Sequence, residues 1–206
     1  MTTATAEFST QTHENMPEEM LPHKAGRKLW LPMLLMAIIG FGVGIVLAFV
    51  RADAVNSGDA ETVAVLGQLV PGFMFIGFAT VFAAIAFAVA RILGVFREGG
   101  SGMQKMAGSE IKTLEMPATG KAFMVLMVLG MMTLVVAVVL HFIVGGAIAA
   151  DSAWAVDNAE TWSIALEGAR RFGVSVYLLS IAFGLATIIT VLRFQSLRVR
   201  EIVAAK

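Results

Sequence analysis

Four long apolar runs, separated by short polar segments, dominate the chain. They cover residues 29–50, 63–90, 122–150 and 172–192, and none of them contains Asp, Glu, Lys or Arg. About 20 apolar residues rising 1.5 Å each cross a hydrocarbon core, so each run predicts a membrane-spanning helix. Strands of a membrane barrel would alternate apolar with polar positions instead. The pattern predicts an all-α integral membrane protein, a four-transmembrane-helix up-down-up-down bundle over residues 29–206, with residues 1–28 as a polar tail. The tail carries Glu7, Glu14, Glu18 and Glu19, and the first apolar run exceeds the 7 to 15 residues of a signal peptide core, which marks it as a permanent helix.

Charge fixes the expected orientation. Lys24, Arg27, Lys28, Arg91, Arg97, Lys105, Lys112, Lys121, Arg193, Arg198, Arg200 and Lys206 flank the runs on one side, against Arg51, Arg170 and Arg171 on the other. Basic residues stay in the cytoplasm, so both termini and the segment 91–121 belong there, with 51–62 and 151–171 outside. A bacterial inner membrane fits this asymmetry and the lack of an organellar transit pattern.

The halves share a layout. Ala60-Glu61-Thr62 and Ala159-Glu160-Thr161 each precede an apolar run that ends in a basic tail, Arg97-Glu98 and Arg200-Glu201 respectively. This is the pattern of two repeated helical hairpins inserted the same way. Around Trp162, Ala165, Leu166 and Ala169 the second exterior segment is amphipathic, with Trp154 and Trp162 suited to the headgroup level. Pro71-Gly72 predicts a bend that detaches 63–70 from the span following it. Between Gly99-Gly100-Ser101-Gly102 and Met116-Pro117, the stretch 103–114 reads as a short surface helix or as a linker.

Composition narrows the function classes. Hydrophobic residues make up 58% of the chain and charged ones 15%, against roughly 25% charged in soluble proteins. Fifteen basic residues balance fifteen acidic ones, which leaves no excess positive charge for nucleic acid. With no cysteine there are no disulfides and no thiolate metal sites.

Polar residues within the runs are few: Gln68, Thr80, Thr133, His141, Ser175, Tyr177, Ser180, Thr187 and Thr190. Ion-coupled transporters and membrane enzymes need buried ionisable groups, and His141 is the one titratable candidate near neutral pH. It lies roughly 7 Å from the middle of its run. An intramembrane histidine invites haem b ligation, a quinone or lipid contact, or a hydrogen bond to a neighbouring helix. Haem would take its second axial ligand from a methionine or another subunit, because His13 and His23 lie in the tail. The set His13, Met16, Met20 and His23 is the best candidate for a metal, since thioether and imidazole ligands suit Cu(I), although Pro17 and Pro22 interrupt a continuous helix there. Gly40 and Gly44, Gly145 and Gly146, and Ser180 and Gly184 offer small-residue faces for helix packing, within the chain or against another subunit.

No phosphate-binding loop, zinc-protease motif or nucleophile elbow is present. The expectation is a non-catalytic integral membrane subunit that needs no cofactor and scaffolds a larger membrane enzyme complex. Its partners would be other membrane protein subunits in a hetero-oligomer, together with the lipid bilayer. The alternatives are a cytochrome-b-like haem or quinol anchor using His141, and a channel for small neutral solutes.

Overall fold

The computed structural model describes residues 8–16, 18 and 20–204. Their elements in order are β1 (Thr10–His13), α1 (Leu21–Ser57), α2 (Ala60–Met106), β2 (Ile111–Leu114), α3 (Ala118–Ala149), α4 (Ala153–Asp157) and α5 (Ala159–Ala204). Four of the helices, α1, α2, α3 and α5, are long and apolar enough to cross a membrane. The all-helical reading therefore holds, with two four-residue strands added. Glu7, Pro17, Glu19 and Lys206, which the sequence singled out, lie outside the described residues.

The helices outrun the apolar runs that predict them. At 1.5 Å per residue, the 47 residues of α2 reach about 70 Å and the 46 of α5 about 69 Å. A hydrocarbon core is only about 30 Å thick. Segment 51–62, expected to be a loop, is helix except at Gly58-Asp59. Trp162 and its amphipathic neighbours likewise form the opening turns of α5 rather than a separate cap. No break appears at Pro71, which lies inside α2. Glycine at 72 lets the following turn pack directly on α3, where its missing Cβ would sit 3.3 Å from the His141 Cβ, so packing beside the proline holds the helix through it.

Local chemistry explains where the helices stop. Gly58 takes φ +74° while its N–H donates to the Val55 carbonyl at 3.3 Å and that of Asp59 donates to Ala54 at 3.0 Å. These two bonds are a Schellman ending, which favours glycine because a left-handed residue carries no Cβ penalty. Asp59 then caps α2: its Oδ1 accepts the Thr62 N–H at 3.0 Å and its Oδ2 accepts the Thr62 hydroxyl at 2.6 Å. Two residues thus close one helix and start the next. Gly108, at φ +68°, ends α2 in the same way through Gly108 to Lys105 and Ser109 to Gln104. Asp151 takes the corresponding place after α3 at φ 50°.

The Gly108 stop means that 103–114 is neither the separate surface helix nor the plain linker that the sequence offered. Met103 to Met106 complete α2, and the β-branched Ile111 and Thr113 then form the buried side of β2. β2 pairs antiparallel with β1, with Thr10 opposite Leu114 and His13 opposite Ile111.

By contacts the chain falls into two compact units. Unit 1 comprises the described parts of Met1–Trp30, Ile85–Val125 and Leu179–Lys206, and unit 2 comprises Leu31–Ala84 and Leu126–Leu178. In unit 2, Gly40 meets Gly77 and Gly44 meets Met74, while Gly145 meets Leu69 and Gly72 meets His141, so α2 runs antiparallel to α1 and to α3 there. In unit 1, Gly26 abuts Arg91 and Gly94 abuts His23, again antiparallel.

Burial recurs at alternating steps of four and three. On α3 the buried positions include Gly130, Leu134, Ala137, His141, Val144 and Ile148. On α5 they include Leu166, Gly173, Tyr177, Ser180, Gly184, Thr187, Phe194 and Arg198. A repeat averaging 3.5 residues is the spacing of left-handed, knobs-into-holes bundles. The opposite faces are equally apolar and exposed, with Ile38 at 62% and Phe49 at 73% on α1, as lipid contact requires.

Candidate functional site

His141 stands on the buried seam of α3 in unit 2, and its Nδ1 lies 3.1 Å from the Oε1 of Gln68 on α2. Gln68 passes the chain on, since its Nε2 donates to the Ser163 hydroxyl at 2.9 Å. An amide oxygen only accepts, so Nδ1 carries the proton and a neutral ring leaves Nε2 as a bare lone pair. That Nε2 is buried without a hydrogen-bond partner. Of the three roles the sequence offered His141, the hydrogen bond to a neighbouring helix is the one this geometry contains. About three turns away on the same seam, Gly130 gives room to the ring of Tyr177, which stacks on Phe82 at 5.1 Å between centroids.

The serine and threonine hydroxyls of the spans are engaged, whereas the buried Tyr177 hydroxyl has no hydrogen-bond partner. Thr80 donates to the Ile76 carbonyl at 2.6 Å, Thr133 to Leu129 at 2.9 Å, Ser175 to Arg171 at 2.8 Å, Thr187 to Phe183 at 2.8 Å and Thr190 to Ala186 at 3.0 Å. These bonds stay within one helix. Ser180 crosses to α3, donating to the Phe123 carbonyl at 3.0 Å within unit 1.

Glycines read as packing faces divide by what they meet. Gly40 is set 2.8 Å, measured from an added Cβ, from the Gly77 backbone nitrogen, Gly44 packs on Met74, Gly145 on Gln68 and Leu69, and Gly184 on Phe123 and Val89. Those four face helices of their own chain. Gly146 meets nothing within 4 Å.

The metal candidates are distributed differently. Met20 and His23 line one cavity in unit 1, where the Met20 sulfur accepts from Arg97 Nη1 at 3.1 Å. His13 sits on β1 with its Nε2 2.8 Å from the Thr113 hydroxyl, and Met16 is 41% exposed. Among the described residues no group of three or more His, Cys, Asp or Glu is placed to hold a metal ion.

That cavity measures about 280 Å³. Leu93, Phe123, Met124 and Val191 give it an apolar wall, Arg97, Gln195 and Arg198 a polar one, and Thr113 with Glu115 close it from β2 and the residue after it. Arg198 is 2% exposed. Its Nη1 donates to Gln195 at 3.3 Å, its Nη2 donates to Gln104, and its guanidinium lies 5.1 Å from the Phe194 ring centre. Burial pulls Arg198 down to about 10 against the opposing field of Glu201, so it remains charged at neutral pH. From sequence Arg198 reads, with Arg193 and Arg200, as a cytoplasmic anchor able to touch anionic headgroups, a reading in which the buried environment is not evident. A usable signal was there: Arg198 falls four residues after Phe194, on the same four-three stripe as Ser180, Gly184 and Thr187.

No family model, characterised protein or solved structure matches the chain.

Proposed function

We propose that the chain is a non-catalytic, multi-pass integral membrane subunit that holds partner subunits of a larger complex in the bilayer. The observation that carries this reading is the engagement of all six Ser and Thr hydroxyls of the apolar runs in bonds to backbone carbonyls. A transport path or membrane active site needs polar groups turned toward a substrate, and here the Ser and Thr hydroxyls serve the helices themselves, which leaves the Tyr177 hydroxyl and His141 Nε2 as buried polar atoms of the apolar runs without a partner. The apolar exterior of α1, with Ile38, Ile39, Val46 and Phe49 at 60% exposure or more, is the surface such partners would share with lipid. In this reading both termini lie in the cytoplasm of a bacterial cell, as twelve basic flanking residues against three favour.

Purification in a mild neutral detergent followed by native mass spectrometry tests the proposal. The expected result is a stoichiometric membrane partner, and a chain that runs alone at every detergent concentration overturns it. One observation favours a second reading, a haem or quinol anchor: the partnerless Nε2 of His141. A Soret band lost on His141→Ala supports that reading, and a colourless protein removes its haem version.

A further inference from the structure

The cavity of unit 1 combines features that the scaffold role does not use. Its apolar wall belongs to the ends of the predicted spans, at Phe123, Met124 and Val191. Its cations come later in sequence: Arg97 stands seven residues past Ala90 and Arg198 six past Leu192, about 9 to 11 Å of helix. Apolar lining at hydrocarbon depth and positive charge at headgroup depth is the arrangement that suits an amphiphile with an anionic end. The cations are also incompletely satisfied. Arg198 is held by two neutral amide oxygens, Arg97 donates to a thioether, which is a weak acceptor, and the Nε of each is buried without a partner. A buried guanidinium without a full set of acceptors is costly, and an anion offsets that cost.

Opposing charges on this wall are accounted for. Glu115 is exposed and accepts from the Ser9 hydroxyl, and Glu201 exerts its field on Arg198. Neither carboxylate turns the lining acidic, since Arg97, Arg198 and Glu115 are the charged side chains among it. A volume of about 280 Å³ lies near the lower limit of small-molecule sites, roughly 300 to 1,000 Å³, which suits one chain and a compact headgroup better than a two-chain lipid.

We infer that this cavity binds a single-chain anionic amphiphile, with its carboxylate or phosphate at the Arg97 and Arg198 wall and its methylenes along Leu93, Phe123 and Val191. The inference stands whether or not the chain has partner subunits.

The test titrates the full-length protein, in a neutral maltoside detergent, with dodecanoate, dodecyl phosphate or dodecanol, and reads adducts by native mass spectrometry. One dodecanoate or dodecyl phosphate per chain is expected, bound at least about tenfold more tightly than dodecanol, the size of a single charge-assisted contact. Preference for dodecanoate assigns a free fatty acid as the source, and preference for dodecyl phosphate assigns a phosphorylated lipid; either supports the site. Arg97→Gln should weaken binding about tenfold, and Leu93→Trp, which fills the apolar wall and leaves both arginines in place, should abolish it. Because Arg198→Gln alters a fully buried residue, these two variants carry the test, with circular dichroism melts to establish that they fold. Equal binding of dodecanol and dodecanoate, or adducts unchanged by Leu93→Trp, overturns the inference.

Discussion

Gln68 and His141 lie on different helices, 73 residues apart, and meet at 3.1 Å through one amide oxygen and one imidazole nitrogen. Such interhelical bonds contribute about 0.6 kcal/mol on average within membranes and up to about 1.7. Gln68→Leu and His141→Leu should each destabilise the protein, and the double variant should lose less than the sum because each single change strands the other's polar atom. A double-mutant cycle of unfolding free energies measures the coupling. Strict additivity would show that the contact is not energetic.

Glycine positions provide a matched contrast. A Cβ on Gly130 would stand 2.7 Å from Tyr177 Cδ2, and one on Gly40 would stand 2.8 Å from the Gly77 nitrogen, whereas Gly42 and Gly146 have open space. Gly40→Ala and Gly130→Ala should cost about 1 to 3 kcal/mol through overpacking. Gly42→Ala and Gly146→Ala should be neutral or stabilise by about 0.5 kcal/mol through the unfolded chain. Melting temperatures of the four variants decide the matter, and a similar loss in all four would contradict the packing described.

Much of this architecture was legible beforehand, and the reasons differ by feature. Four uncharged runs announce four helices because an unpaired charge is expensive in hydrocarbon. Which face of each helix points inward is not announced by hydrophobicity, since Ile38 facing outward and Leu134 facing inward are both apolar. Lipid makes the exterior as oily as the core. The informative residues are small or polar ones at four-three spacing, and Ser180, Gly184 and Thr187 were visible in that way. The cavity is not legible in the sequence because it depends on Arg198 returning to a buried stripe beyond its span, and on a strand pair built from segments about 100 residues apart. Neither is a local property of sequence.

Asp59 supplies a dependence on pH. Hydrogen bonds from the Thr62 hydroxyl and N–H hold its carboxyl below the ordinary 3.8. A carboxyl whose folded value is depressed stabilises the fold above its unfolded value, and that contribution disappears as pH falls through the folded one. Asp59→Asn keeps a capping oxygen without the charge, so wild type should exceed it in melting temperature at pH 6, with the gap closing as the pH falls below about 4. A gap constant across that range would dissociate the cap from the charge.

The helix stops make a further prediction. Gly58 and Asp151 both adopt left-handed backbone, at φ +74° and φ 50°. Gly58→Ala should cost about 1 kcal/mol, and Asp151→Gly should relieve a penalty of similar size. Chemical denaturation would reveal opposite shifts in midpoint, and shifts of the same sign would count against the geometry.

The joint at Gly58 and Asp59 has a consequence beyond closing one helix and opening another. Gly40 and Gly77 stand equally far from it along the chain, as do His23 and Gly94, and both pairs are in contact. A turn with no spare residue behaves as the zero mark of a ruler: each position on α1 has its partner on α2 assigned by counting. One inserted residue would advance α2 by about 100° of rotation and 1.5 Å of rise, turning every facing glycine away from its neighbour at once. The tolerance of this hairpin to length change is therefore set by two residues.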